Sequence, residues 1–162
     1  MKLIKKTLAV SAITLGILTA SQQSSDAQEF SHDFEEASEL AKKSQKPLIV
    51  VFSATWCPPC QKMKKSVYPS TEVKPYHDSF VWAYLDADES KNRPLMSKYG
   101  VNGIPHISFL SPGGNLVGHF AGAVSPEQFT KILDQVQNDI AKTGSNSGSQ
   151  ANTERKGSGI KR

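Results

Sequence analysis

Both cysteines of the chain lie in Trp56-Cys57-Pro58-Pro59-Cys60, directly after the apolar run Leu48-Ile49-Val50-Val51-Phe52. That run is continuous, β-branched and of strand length, which suits a strand covered on both faces. Ser53 to Trp56 form a short loop. A helix is predicted from the cysteine pair through Met63 to about Val67, with Pro69 marking its end and a further turn from Ser70. A doubly covered strand that feeds straight into a helix demands a layered α/β fold.

The flanking segments fit that architecture. Ser31 to Gln45 places Phe34, Ala37, Leu40 and Ala41 at helical spacing, and Pro47 ends the pattern. Phe80 to Leu85 reads as a second central strand, closed by Asp86-Ala87-Asp88-Glu89. A short helix is predicted from about Asn92 to Tyr99, with Pro94 in its first turn and Gly100 as its cap. Ile107 to Leu110, Ser111-Pro112-Gly113-Gly114 and Asn115 to Ala121 read as strand, turn and strand. Ser125-Pro126-Glu127 opens a last helix with an apolar stripe of Phe129, Ile132, Leu133 and Val136. The order predicts a mixed central β-sheet with helices on both faces, in one domain over 28–142.

The ends of the 162-residue chain look different. Lys2, Lys5 and Lys6 precede an apolar run from Leu8 to Ala20, shorter than the roughly 20 residues of a spanning helix. Ser25-Asp26-Ala27 supplies small residues at the cleavage-determining places, so residues 1–27 are expected to be a signal peptide cut after Ala27. The alternative is an uncleaved N-terminal anchor. Either way the domain is exported, and a periplasmic or other extracytoplasmic site is expected. From about Thr143, Gly, Ser, Asn and Gln dominate, so 143–162 is expected to be a disordered basic tail. The net charge of +4 sits largely on these ends, which argues against nucleic acid as a partner.

Four chemistries use a Cys-x-x-Cys pair: a redox dithiol, half of a zinc site, a haem attachment, and an inert disulfide. Haem attachment needs His after the second cysteine, where Gln61 stands. Zinc needs two more ligands, and His32, His77, His106 and His119 offer no pair at ligand spacing, so no metal is expected. An inert disulfide closing so small a loop adds little stability. A working couple in an oxidising compartment is the favoured reading, needing no other cofactor. Cys57, at the helix start, is then the attacking thiolate, and Cys60, one turn further in, is buried and resolves the mixed disulfide. Pro58 and Pro59 remove two amides from the turn around Cys57, leaving mainly those of Cys60 and Gln61. That predicts a moderate thiolate, and hence a reductant or mid-range exchanger. Lys62, Lys64 and Lys65 push the other way, unless they form only a solvated helix face.

Three motifs in order resemble the thioredoxin superfamily: Trp56-Cys57-x-x-Cys60, then Lys98-Tyr99-Gly100-Val101-Asn102-Gly103-Ile104-Pro105, then Gly122-Ala123-Val124-Ser125. The resemblance implies the thioredoxin fold, with Ile104-Pro105 cis and facing the dithiol. It also implies a client segment lying extended beside Pro105, Trp56 shielding the dithiol, and Gly122 lining the groove. Thioredoxins have a buried aspartate six residues before the first active-site cysteine, where this chain has Val51, and Tyr84 stands in place of the lysine near that acid. His106, after Pro105, is a candidate to fill the gap. The helix after the dithiol and the continuation Tyr68-Pro69-Ser70-Thr71-Glu72-Val73 look closer to extracytoplasmic thioredoxin-like domains related to the terminal domain of the bacterial transmembrane disulfide reductase than to cytosolic thioredoxin. That relationship implies exported client proteins with disulfides, a membrane-embedded electron donor, and a monomer. The competing reading is a non-catalytic peptide-binding or chaperone module built on the same groove. A third is metal handling by Cys57, Cys60 and His106.

Overall fold

The computed structural model describes residues 30–147. The expected signal peptide and the end of the tail, from residue 148, lie outside the described residues. Four strands, β1 (Leu48–Ser53), β2 (Val81–Asp86), β3 (His106–Leu110) and β4 (Leu116–Ala121), form one sheet in the order β2-β1-β3-β4. β1 and β2 run parallel, joined by the crossover that carries the dithiol, while β3 is antiparallel to both β1 and β4. The mixed sheet is thus as the sequence predicts.

Helices α1 (Phe34–Ser44), α2 (Pro58–Lys62), α3 (Arg93–Lys98) and α4 (Pro126–Ser147) cover it. Strand parity sorts the core. Ile49, Val51, Trp82, Tyr84, Ile107 and Phe109 face Met63 and Val67 beyond α2, and Phe129, Leu133 and Val136 of α4. Leu48, Val50, Phe52, Ala83, Leu85 and Leu110 face Ala37 and Ala41 of α1, and Tyr99 after α3. With β1 buried at all six positions, its continuous apolar run is explained by cover on both faces.

Local chemistry moves several boundaries. α1 starts at Phe34, not Ser31, because Asp33 is its cap: the Asp33 Oδ1 accepts the Glu36 N–H at 3.0 Å. Ser31 instead joins the outer edge of β2, donating its N–H to Trp82 O at 2.9 Å and accepting from Tyr84 N at 2.8 Å. That contact covers part of an otherwise open strand edge. α1 ends on Gln45 in the left-handed region (φ 55°), with Lys46 N–H returning to Ala41 O at 3.1 Å. Leu40, expected on the buried stripe, is 52% exposed. The small Ala37 and Ala41 bring the helix close to the sheet and leave Leu40 at the rim.

After α2 the helix widens into a π-helical segment, Met63–Val67, and short 3₁₀ turns precede β2 and α3. α4 continues to Ser147, past the Thr143 at which composition places a structureless tail. A helix nucleated by packing extends at little cost through polar residues, and Thr143 Oγ1 bonds Asp139 O at 2.9 Å. Among the described residues, no helix is long and apolar enough to cross a membrane.

Candidate active site

Register alone assembles the site. Ser53 pairs with Asp86, Phe52 with His106, and His106 with Ala121, so the C-terminal ends of β1 and β2, the start of β3 and the end of β4 share one rim of the sheet. The loop from β1 delivers Cys57 to this rim, and the segment before β3 delivers Ile104 and Pro105.

Cys57 is the N-cap of α2, with extended backbone (φ −90°, ψ 103°), and is joined to Cys60 by a disulfide. Pro58 occupies the first helical position, where its missing N–H costs nothing. The Cys60 N–H points at Cys57 Sγ from 3.3 Å. The Gln61 N–H, expected to share that task, bonds Cys57 O at 3.0 Å instead. Among the described residues, a single amide therefore addresses the first sulfur. Gln61 also ties the loop down through Nε2 to Ala54 O at 2.9 Å.

Pro58 and Pro59 are exposed, whereas Cys60 is 1% exposed and packs with Ala54, Cys57 and Ile104. Cys57 itself is only 3% exposed in this oxidised state, while its chain neighbours Trp56, Pro58 and Pro59 are exposed.

The Ile104–Pro105 peptide is cis, the geometry implied by the resemblance, and Ile104 O stands 3.8 Å from Cys57 Sγ. Pro105 O accepts the Gly122 N–H at 2.8 Å. Gly122 has φ 96°, a conformation that side chains rarely adopt. These contacts bring Ile104, Pro105 and Gly122 together at the dithiol rim. Trp56 is 65% exposed, and its Nε1–H donates to Asp88 Oδ2 at 2.6 Å.

His106 is a correction. Paired with Phe52, it points to the face covered by α1 and α3, away from α2, and its ring stacks on exposed His119 at 5.2 Å between centroids. Its Nε2 has no hydrogen-bond partner among the described residues, and burial first, His119 second, hold its pKa below the usual histidine value. It does not fill the place of the missing acid. Strand alternation puts the residue after Pro105 on the wrong side.

The polar groups that do lie on the dithiol face are ones sequence reasoning passed over or read only as a loss. Ser53 is fully buried, and its hydroxyl makes a short hydrogen bond to the Tyr84 hydroxyl. The Lys64 ammonium lies 4.5 Å from the centre of the Tyr84 ring. The available signal was parity: Ser53 shares a face with Val51, and Tyr84 is Val51's partner on β2.

Residues 34–137 match the thioredoxin-like domain family. The chain belongs to that family. The chloroplastic thioredoxin-like protein HCF164 of Oryza sativa subsp. japonica is 35% identical over 98 residues, which are 60% of this chain and 36% of that protein. The chain thus spans about a third of the length of this relative. A thioredoxin from Thermus thermophilus superposes with a TM-score of 0.65 at 25% identity, over 80% of this chain and all of that one. The oxidised C-terminal domain of Neisseria meningitidis DsbD superposes with a TM-score of 0.56 at 21% identity, over 66% of this chain and 98% of that domain. The last likeness shows a shared fold.

Proposed function

We propose that this protein is an exported thiol:disulfide oxidoreductase that reduces or exchanges disulfides in extracytoplasmic proteins through Cys57 and Cys60. The observation that carries the reading is the place of the couple: Cys57 caps a helix with its sulfur 3.8 Å from Ile104 O of the cis-Pro105 segment, and Cys60 follows one turn on. In the reducing direction the Cys57 thiolate attacks one sulfur of a client disulfide. The client's other sulfur leaves as a thiolate and takes up a proton. Cys60 loses its proton and attacks Cys57 Sγ, forming the Cys57–Cys60 bond and expelling the client's second sulfur. Two electrons pass from the dithiol to the client.

Ile104, Pro105 and Gly122 form the seat for an extended client segment beside the attacking sulfur. Residues 1–27 act as the export signal, and a membrane-embedded donor restores the dithiol. With a single amide addressing Cys57 Sγ, the thiolate is only moderately stabilised, so the couple is a reductant or mid-range exchanger. Equilibration with glutathione tests this: a potential well below the roughly −120 mV of a strong oxidant is expected, and a value near it overturns the direction. In living cells, a Cys60→Ser variant should accumulate mixed disulfides through Cys57. Absence of any trapped client would favour a binding module on the same groove.

A further inference from the structure

The client seat is the continuation of a strand pair. Pro105 leads into His106, the first residue of β3, and Gly122 follows Ala121, the last residue of β4. His106 pairs with Ala121, and beyond that rung Pro105 O accepts the Gly122 N–H at 2.8 Å. Whatever fixes the last rung therefore fixes the seat. Ala121 offers only a methyl group opposite His106, so the side chain that braces His106 from β4 is the diagonal one, His119. The two rings stack with centroids 5.2 Å apart and planes 19° apart. On the β1 side, Phe52 meets the His106 ring edge-on at 6.2 Å between centroids. His106 thus meets one neutral ring and one titratable ring.

Electrostatics makes that brace conditional. His106 is 2% exposed and its Nε2 has no hydrogen-bond partner among the described residues, whereas His119 lies at the surface. A proton on His106 would put a charge in a buried slot beside a second imidazole. The groups that face it do not offset that charge. Phe52 on β1 and Ala121 on β4 are apolar, and Ser108 on β3 shares the face as a neutral hydroxyl. The layer over this face contributes the Tyr99 hydroxyl, with the Lys98 ammonium 5.2 Å from the centre of the Tyr99 ring. Burial first, and the field of His119 second, oppose protonation, with no carboxylate offsetting them.

We propose that the His106–His119 stack is a positioning device for the client seat: with both rings neutral it holds Pro105 and Gly122 in register for an extended client segment, and a proton releases it. The proposal rests on the exchange reading of the dithiol. The proton comes from solvent, and no sulfur bond or electron pair is involved. To become solvated, a protonated His106 ring must leave its slot, and a single peptide bond joins it to Pro105. A second proton on His119 adds repulsion between like charges. The released state has the higher histidine pKa, so protons favour it. Holding is complete above about pH 6.5 and weakens as the pH falls toward the lower pKa of the stacked His106. The effect passes through the backbone to the seat and not to the sulfurs. It therefore separates clients that lie along the seat from small disulfides that do not.

The test mixes reduced protein with an excess of either a linear peptide carrying a thionitrobenzoate mixed disulfide or 5,5′-dithiobis(2-nitrobenzoate) itself. Both release thionitrobenzoate on attack by Cys57, so the ratio of their rates cancels the titration of that thiol. Between about pH 7.5 and about pH 5 the peptide's advantage should fall about tenfold, as a rise in half-saturating peptide concentration and not as a lower limiting rate. His106→Phe keeps a ring and removes the proton, and should make the ratio flat. His119→Ala should lower the ratio about fivefold at about pH 7.5, and His119→Phe should restore it. His119 is exposed, so these two variants test the stack even if His106→Phe does not fold. A pH-independent ratio in the wild type, a slope that survives in folded His106→Phe, or a His119→Ala ratio equal to that of the wild type overturns the proposal. Wild-type protein that releases thionitrobenzoate from neither substrate would instead refute the exchange reading itself.

Discussion

The two faces of the sheet bury comparable apolar layers but differ in the polar groups they hold at the dithiol rim. Under α2, the Ser53 and Tyr84 hydroxyls bond each other at the dithiol rim. Under α1 and α3, the rim carries His106, whose Nε2, like Ser108 Oγ and the Tyr99 hydroxyl on that face and Trp82 Nε1 on the other, is buried without a hydrogen-bond partner among the described residues. His106 and Ser53 start from adjacent places on the same rim, yet only Ser53 faces the helix that carries Cys60. Proximity along the chain or along the rim therefore does not make a residue part of the site; the direction of its Cβ does.

The sharpest way to break this contrast is to remove the sulfur that only one face serves. Cys57→Ser should bring insulin disulfide reduction down to the rate of the added dithiothreitol alone, while the same variant still unfolds cooperatively in urea. Next in size come the two packing layers. Phe129→Ala, from a fully buried ring that meets Tyr68, Trp82 and Phe120, should cost about 3–5 kcal/mol in urea unfolding. The opposite layer is built on small residues and should fail by overpacking: Ala37→Leu should cost about 1–3 kcal/mol. If Ala37→Leu is neutral, the close approach of α1 is not what sets that layer. Loss of the α1 cap is smaller again, with Asp33→Ala expected to cost about 1 kcal/mol.

The smallest effect separates the two polar sites by pH. His106 has a folded-state pKa held below 6.5, first by burial and then by His119. Below about pH 6.5 the unfolded chain binds a proton that the folded chain resists, so stability is full above that value. It falls as the pH drops toward the folded-state pKa. His106→Thr should flatten this slope in urea midpoints measured between pH 5 and pH 7.5, and leave the Cys57 thiol pKa unchanged. A moved thiol pKa would return His106 to the dithiol and erase the contrast between the faces.

Much of this was legible beforehand. The run Leu48–Phe52, Pro47 before it and the cysteine pair after it predict a buried strand feeding a helix, because no other element tolerates that order of apolar, loop and cap residues. The cap Ser125 and the stripe Phe129, Leu133 and Val136 likewise announce the last helix. Leu40 was misplaced because periodicity reports which residues share a helix face, and not how far a sheet reaches across it. The start of α1 was misplaced because Ser31 and Asp33 are both plausible caps. Only the edge of β2, distant in sequence, draws Ser31 out of the helix.

The amino-acid order by itself determined the reactive chemistry: two cysteines three residues apart, at a strand-to-helix junction, with two prolines that withhold amides. These are local properties, set by covalent spacing and backbone preference. Tertiary structure alone decided what surrounds the sulfurs. It left one amide on Cys57 Sγ by sending the Gln61 N–H to a carbonyl, turned Trp56 outward to Asp88, and put His106 on the far face. It also joined Ser53 to a tyrosine 31 residues away. The physical reason is the two-residue period of a strand. Which side of the sheet a residue occupies depends on register with partners remote in the chain, and a one-residue slip would exchange every one of these assignments.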